Sequence, residues 1–272
     1  MTYKKVSIIV ADPSIAEMLI ALLAEAGYEG FEELDKSLIA YIGEVDFDEH
    51  SLGSIAGQFQ LNYELSEVEK TNWNKEWEEN FQPVMVKDFC TIRADFHHID
   101  VQTPYEIIIT PKMSFGTGHH STTQLMMQMM RKINFKDKSV FDFGTGTGIL
   151  AILASMLGAR DIVAIDNDEW SIDNSIENAE RNDIHNIQFK LGSIEYVAVP
   201  TFDVILANIN RNILLQYMGS IFQKTSSGGL ALMSGLLEED KDIIVEQAKA
   251  EGFQFLEEDK MNKWIVLLFA KK

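Results

Sequence analysis

Glycines alternating with threonines, one carboxylate just before them and two more about twenty residues on are the side chains here whose types and spacing do chemistry. Asp142 precedes Gly144, Gly146 and Gly148 in SVFDFGTGTGILAI, and Asp166 and Asp168 close the run DIVAIDND. Glycines so placed let backbone approach a ligand closely, and an acid about 20 residues further on accepts from ribose hydroxyls. The chemistry implied is nucleoside binding. A second stretch, PKMSFGTGHHSTT over residues 111–123, adds Gly116, Gly118, His119 and His120 ahead of a helix. Its glycines suit a flap or a close backbone approach, and Ser121 or Thr122 is placed to cap the helix so that its N–H groups face a ligand. No metal is expected on the two histidines: adjacent side chains diverge, and no nearby cysteine or carboxylate cluster completes a ligand set.

Particular elements must hold these residues. Residues 139–143 read as a short apolar strand buried on both faces, 149–158 as a helix stopped by its glycine, and 161–165 as a second strand. Strand, crossover helix and parallel strand make a right-handed βαβ unit, and ligands of such sheets bind outside the carboxyl ends of the strands. The alternation continues with a helix at 170–182, strands at 187–191 and 202–209, and a helix at 210–224 broken by Ser226, Ser227, Gly228 and Gly229. A strand at 230–234 and a helix at 239–250 follow. Residues 253–257 and 263–270 then come with no helix between them, which predicts a terminal hairpin whose last strand is antiparallel. Met126, Met127, Met129 and Met130 read as core filler.

The length of 272 residues predicts two domains. Residues 1–68 order as strand, helix, two hairpin strands, helix and strand, the βαββαβ order of a ferredoxin-like sandwich. Residues 69–83 read as a helical linker with Trp73, Trp77 and Phe81 on one face, a packing seam. The large domain then spans 84–272, entered through strands at 84–92 and 106–110. Apolar content of 46% and charged content of 24% are ordinary for a globular protein, but the net charge of −19 is not. So acidic a surface repels a phosphate backbone, which argues against direct nucleic-acid contact and suits a basic partner. The lone Cys90 fits a reducing compartment. Neither a signal peptide nor a run of about 20 apolar residues is evident, so no membrane and a cytoplasmic setting are expected.

Spacing distinguishes the nucleosides. The dinucleotide fingerprint is G-x-G-x-x-G/A, but its third small residue is Ile149 here, and the third glycine falls one place early at Gly148. The terminal hairpin likewise departs from a dinucleotide-binding sheet. G-x-G-x-G behind Asp142 instead resembles motif I of class I S-adenosylmethionine-dependent methyltransferases. Taken with FGTGHHSTT, AIDND, VILANI and the linker WNKEWEENFQPV, nearly the whole chain resembles the PrmA family, which methylates large-subunit ribosomal protein L-eleven (L11).

That resemblance implies an α/β fold, a seven-stranded Rossmann-like methyltransferase sheet with a terminal antiparallel hairpin, preceded by a small α+β ferredoxin-like domain that presents the substrate. It implies S-adenosylmethionine as cofactor, held at Thr123, Gly144, Asp166 and Asn208, with Gly146 beside Gly144 admitting the methionine portion. Asn208 is also the catalytic candidate, orienting a neutral amine without a dedicated base. The activity implied is transfer of methyl groups to lysine and N-terminal amines of L11 by a monomer. A methyltransferase of another protein or of a small molecule, a non-catalytic nucleoside-binding relic and a nicotinamide oxidoreductase are the alternatives. His119 and Ser121 stand where the family pattern has threonine and proline, and Ile209, Asn210 and Arg211 replace a small apolar run after Asn208. These departures flank the implied substrate entrance and leave open which amines are methylated.

Overall fold

The structure, a computed structural model, describes residues 3–10, 12–28, 30–34, 36–68, 81–110, 115–197 and 201–272. The chain divides into two compact units, Met1–Asn80 and Phe81–Lys272. The helix expected across residues 71–81 lies outside the described residues except for Phe81, which stacks on His97 and meets His119 edge-on.

The first unit runs β1 (Tyr3–Ile9), α1 (Pro13–Glu25), β2 (Gly30–Leu34), β3 (Ser37–Gly43), α2 (Glu49–Gln58) and β4 (Tyr63–Val68). Its sheet has the order β2-β3-β1-β4, with every pair antiparallel. Alternate residues of β1, Val6 and Ile8, share a core with Leu19 and Leu23 of α1 and Leu52 and Ile55 of α2. Period-2 and period-3.6 apolar faces thus meet on one side of the sheet. Asp48 caps α2 by accepting from the His50 N–H at 3.0 Å.

The second unit opens with β5 (Val84–Val86), β6 (Cys90–Arg93) and β7 (Tyr105–Ile108), a small three-stranded sheet. The single strand expected at 84–92 is two, because Lys87 takes φ +51° and turns the chain back on itself. Then come α3 (Ser121–Met130), β8 (Ser139–Phe143), α4 (Ile149–Met156), β9 (Asp161–Asp166), α5 (Glu169–Arg181), β10 (Ile187–Leu191), β11 (Phe202–Asn208), α6 (Arg211–Lys224), β12 (Thr225–Leu237), α7 (Lys241–Glu251), β13 (Phe253–Met261) and β14 (Trp264–Lys271). The large sheet has the order β10-β9-β8-β11-β12-β14-β13. Strands β8 to β12 run parallel, and β14 lies antiparallel between β12 and β13.

Both faces of that sheet are covered. Val140, Ile162, Leu206 and Leu232 point into one core with α3, α4 and the small sheet, where Met126, Met127, Met129 and Met130 are also buried. Phe141, Val163, Ile205 and Ala231 point into the other with α6 and α7. The central strands are mostly apolar for this reason, Asp142 of β8 being the buried exception. Met261 pairs with Trp264 across a two-residue turn, Asn262 and Lys263, at φ 50° and 68°, the left-handed turn that matches strand twist.

The helix expected at 210–224 does end at Lys224, but no loop separates it from the strand expected at 230–234. Thr225 already pairs with Phe202 and Leu230 with Val204, so Ser226, Ser227, Gly228 and Gly229 bulge within β12. The buried Thr225 closes α6 by donating its hydroxyl to the Ile221 carbonyl at 2.8 Å. Among the described residues no helix is long and apolar enough to cross a membrane.

Candidate functional site

Sheet order reverses between β8 and β11, and loops leaving their carboxyl ends part to opposite faces, which opens a crevice. Phe143 pairs with Ala207 on one side and Ile165 on the other, so in register Gly144 stands between Asn208 and Asp166. The N–H groups of Gly144 and Thr145 both donate to the Ile165 carbonyl at 2.9 Å, bending the glycine loop over the end of β9. There the Gly146 N–H donates to Asp166 Oδ2 at 2.9 Å, and the Asp168 N–H donates to Asp166 Oδ1 at 3.1 Å. A carboxylate carries about four lone-pair sites, so Asp166 keeps acceptor capacity for a ligand.

Glycine is required at two of these places. Gly144 has φ +77°, and a Cβ there would run into Ile209 Cγ2; Gly146 has φ +55°, and a Cβ there would run into the Phe115 carbonyl oxygen. The second glycine stretch therefore lies directly on the first. Thr147 joins them, its N–H donating to the Phe115 carbonyl at 3.0 Å and its hydroxyl to the Gly116 carbonyl at 2.7 Å.

Beneath the loop, Asp142 is fully buried and accepts the Thr145 hydroxyl at 2.6 Å on Oδ2, while Oδ1 has no partner among the described residues. Burial pushes its carboxyl up to about 7; the Thr145 hydroxyl opposes that rise, the Asp166 charge adds to it, and the Ala151 N–H opposes it again.

Across the crevice, Thr123 is buried in the first turn of α3, and its hydroxyl lies 3.5 Å from Asn208 Nδ2, a long contact. Asn208 Oδ1 is buried with no partner among the described residues. A buried amide oxygen left unpaired is costly, so a group that brings an N–H to it would be stabilised. Beside Asp166, whose carbonyl accepts the Gly192 N–H, a cavity of about 340 Å³ is lined by Ile165, Leu191, Gly192, Ser193 and Tyr196.

The two histidines diverge, and His120 takes the capping role expected of Ser121 or Thr122. Its Nδ1 accepts from the Thr122 N–H at 3.3 Å and meets the Thr122 hydroxyl at 2.8 Å, while its ring packs against Trp264 and Phe115. The His120 backbone is extended, at φ −74° and ψ 139°, as an N-cap requires, and this brings its imidazole nitrogen to the first turn. Ser121 begins the helix, and its hydroxyl accepts from Asn262 Nδ2 at 3.2 Å. His119 turns toward Phe81 and Thr117. Asp168 points away from the crevice to cap α5 through the Trp170 and Ser171 N–H groups.

Gly144, Gly146 and Asp166 thus form one group, Thr123 and Asn208 a second, and the register sets the two side by side. Thr147 was not singled out by the sequence, although its place between two glycines was a signal. Nor was Asn178 of α5, whose spacing of four from Asn182 marks a polar stripe on a buried helix face. Among the described residues, no group of three or more His, Cys, Asp or Glu is placed to hold a metal.

A family model described as ribosomal protein L11 methyltransferase (PrmA) matches residues 6–272. A ribosomal protein L11 methyltransferase of Phocaeicola vulgatus is 41% identical over 266 residues, covering 95% of each chain. One of Porphyromonas gingivalis is 43% identical over 260 residues, covering 93% of this chain and 90% of that protein. Among solved structures, a ribosomal protein L11 methylase of Lactobacillus delbrueckii subsp. bulgaricus superposes with a TM-score of 0.64 at 29% identity, covering 71% of this chain and 100% of that one.

Proposed function

Because the chain belongs to the ribosomal protein L11 methyltransferase (PrmA) family, we propose that it methylates lysine and N-terminal amines of ribosomal protein L11 with S-adenosylmethionine as the donor. It is a protein methyltransferase. The observation that carries the donor reading is the crevice itself: a loop with three glycines, an Asp166 carboxylate with acceptor capacity to spare and an unpaired buried Asn208 oxygen meet at one topological switch point. These residues fit the donor. Asp166 suits the ribose hydroxyls, the apolar walls beside it suit a flat base, and Gly144 and Gly146 leave room for the methionine portion. Thr123 brings a hydroxyl to the amino or carboxylate end.

S-adenosylmethionine, when bound, would supply a sulfonium methyl: the amine lone pair attacks that carbon in line, the carbon–sulfur bond breaks, and neutral S-adenosylhomocysteine leaves. The protein therefore has to align the amine and keep it neutral, since a free lysine amine titrates near 10.4 and only its unprotonated form is a nucleophile. Asn208 is suited to both tasks. Its Oδ1 accepts an amine N–H without carrying charge, so it directs the lone pair while favouring the ammonium form less than a carboxylate would. Removal from water further disfavours the charged amine.

The smaller unit, read as ferredoxin-like from its strand order, presents L11; residues 1–68, 69–83 and 84–272 serve as recognition domain, linker and catalytic domain. The enzyme is read as a cytoplasmic monomer, and its net charge of −19 suits a basic protein substrate and not direct contact with RNA. Titration calorimetry with S-adenosylmethionine and NADH in parallel, then mass spectrometry of L11 from the same organism after incubation, tests this. Binding of the first ligand alone, with methylated lysine or N-terminal amines, is expected. Binding without transfer would redirect the activity to another substrate, and no binding would refute the donor site.

A further inference from the structure

Among the described residues, strand β7 is paired on one side only, by β6, and the side chains of Asn178 in α5 and of Asn182, which ends that helix, take its other edge. Asn182 Oδ1 accepts the Ile108 N–H at 2.8 Å while its Nδ2 donates to the Ile108 carbonyl at 2.6 Å. One turn earlier, Asn178 Oδ1 accepts the Thr110 N–H at 2.7 Å. The match is geometric, because four residues of helix rise about 6 Å and two residues of strand advance about 6.6 Å. Asn182 spends its amide on β7 and on the Asn178 carbonyl of its own helix. Asn178 differs. Its Nδ2 donates at 2.9 Å to the Thr147 carbonyl, in the middle of the glycine loop.

We propose that Asn178 is a positioning residue for the methyl donor, acting through Thr147; this rests on the donor-site reading above. Thr147 lies between two glycines in left-handed conformations, Gly146 and Gly148, which place little restraint of their own on the loop. Its N–H and hydroxyl hold the Phe115 and Gly116 carbonyls. The Phe115 oxygen in turn occupies the space a Cβ on Gly146 would need, and the Gly146 N–H holds Asp166. One buried amide thus ties the exit of β7 to the loop that orients Asp166, and loss of its Nδ2 lets Thr147, Phe115 and Gly146 shift together. Asn182 is the internal control, with the same chemistry on the same helix and strand and no bond to the loop.

The test is the affinity for S-adenosylhomocysteine, the unreactive product, by calorimetry, with melting curves on each variant. Asn178→Ala should weaken binding about 10-fold, the roughly 1.4 kcal/mol of one hydrogen bond. Asn178→Asp should do the same, because its carboxylate keeps the Thr110 N–H and offers no donor to the Thr147 carbonyl; it also carries the comparison if the alanine variant fails to fold. Asn182→Ala should melt lower yet bind within about 3-fold of wild type, below the effect of one hydrogen bond. A merely structural Asn178 would lower the melting point and the fraction of competent sites and leave the dissociation constant of those sites unchanged. Wild-type affinity in both Asn178 variants, or equal weakening in Asn182→Ala, overturns the proposal. Failure of the wild type to bind would remove the donor-site reading and this inference with it, an outcome distinct from both.

Discussion

Replacing Asp166 separates two acids that stand two residues apart and that the sequence offers as equals. Both Asp166 oxygens accept backbone N–H groups, from Gly146 at 2.9 Å and Asp168 at 3.1 Å, and the group is left facing the crevice. Asp168 spends its carboxylate on the first turn of α5, at 3.1 Å from the Ser171 N–H and 2.9 Å from its hydroxyl. Asp166→Ala removes the acceptor proposed for ribose and frees Gly146. A hydrogen bond to a charged group contributes about 1.5–3 kcal/mol, so S-adenosylhomocysteine should bind roughly 10- to 150-fold more weakly. Asp166→Asn keeps the shape, but one end of its amide must set an NH₂ against a backbone N–H, so it should fall in the same range and not rescue binding. Asp168→Ala should instead lower stability by about 1 kcal/mol, the usual worth of an N-cap, and leave affinity alone. Calorimetric titration alongside melting curves distinguishes these patterns. Wild-type affinity in Asp166→Ala, or equal loss in Asp168→Ala, would refute the assignment.

Asn208→Ala removes an acceptor that is buried and unpaired, so its melting point should hold or rise while methyl transfer to L11 falls by about 100-fold or more; a variant that keeps its rate would place amine orientation elsewhere. Asp142 predicts a pH dependence, since its carboxyl is raised from 3.8 to about 7 in the folded protein. The fold then holds a proton that the unfolded chain has released, so this group's contribution to stability falls as pH rises from about 4 to about 7 and is flat above. Asp142→Asn, still an acceptor for Thr145, should therefore be more stable than wild type near pH 8, with the gap closing toward about pH 4; a gap that ignores pH would sink this reading. Gly146→Ala places a Cβ against the Phe115 carbonyl at a positive φ and should destabilise the larger unit by about 2–4 kcal/mol, read from denaturant midpoints. An unchanged midpoint would mean that the loop has room to move.

What could be read in the sequence followed from periodicity and from residues with few conformational options. Strand β8 ends where its apolar run ends, at Phe143, and the glycines after it left the chain only a turn. The helix expected from residue 210 is there but starts one later, because Asn210 is its cap, and Asp168, offered beside Asp166, caps α5 instead. What could not be read depended on partners distant in the chain. Ser226 to Gly229 look like a helix–strand break until Phe202 and Thr225 are seen to pair, which makes them a bulge. The cap of α3 falls to His120 because Trp264 and Phe115 hold its ring, contacts that no local propensity encodes. Thr147 and Asn178 stayed silent for the same reason: the bond between them spans 31 positions.

The charge of the molecule and the charge of its site pull in opposite directions, and the structure indicates how the two coexist. A net charge of −19 draws a basic substrate toward the enzyme, yet carboxylates beside a lysine amine would raise its pKa and keep it protonated. Three acids of this unit have their charge offset by partners or suppressed by burial. Asp166 receives two backbone N–H groups, Asp142 is buried and titrates near 7, and Asp240 pairs with Arg211 at 2.8 Å while accepting the Leu237 N–H. Beside Thr123 the unpaired acceptor is the neutral amide oxygen of Asn208, while the spare acceptor capacity of Asp166 is proposed for the ribose of the donor. Long-range attraction is screened by salt over about 10 Å, whereas contacts inside the crevice are not. Added salt should therefore raise the KM for L11 and leave kcat nearly constant, because it weakens the steering field and not the amide proposed to meet the amine. A fall in kcat that tracks ionic strength would place uncompensated charge at the reacting centre and contradict this account.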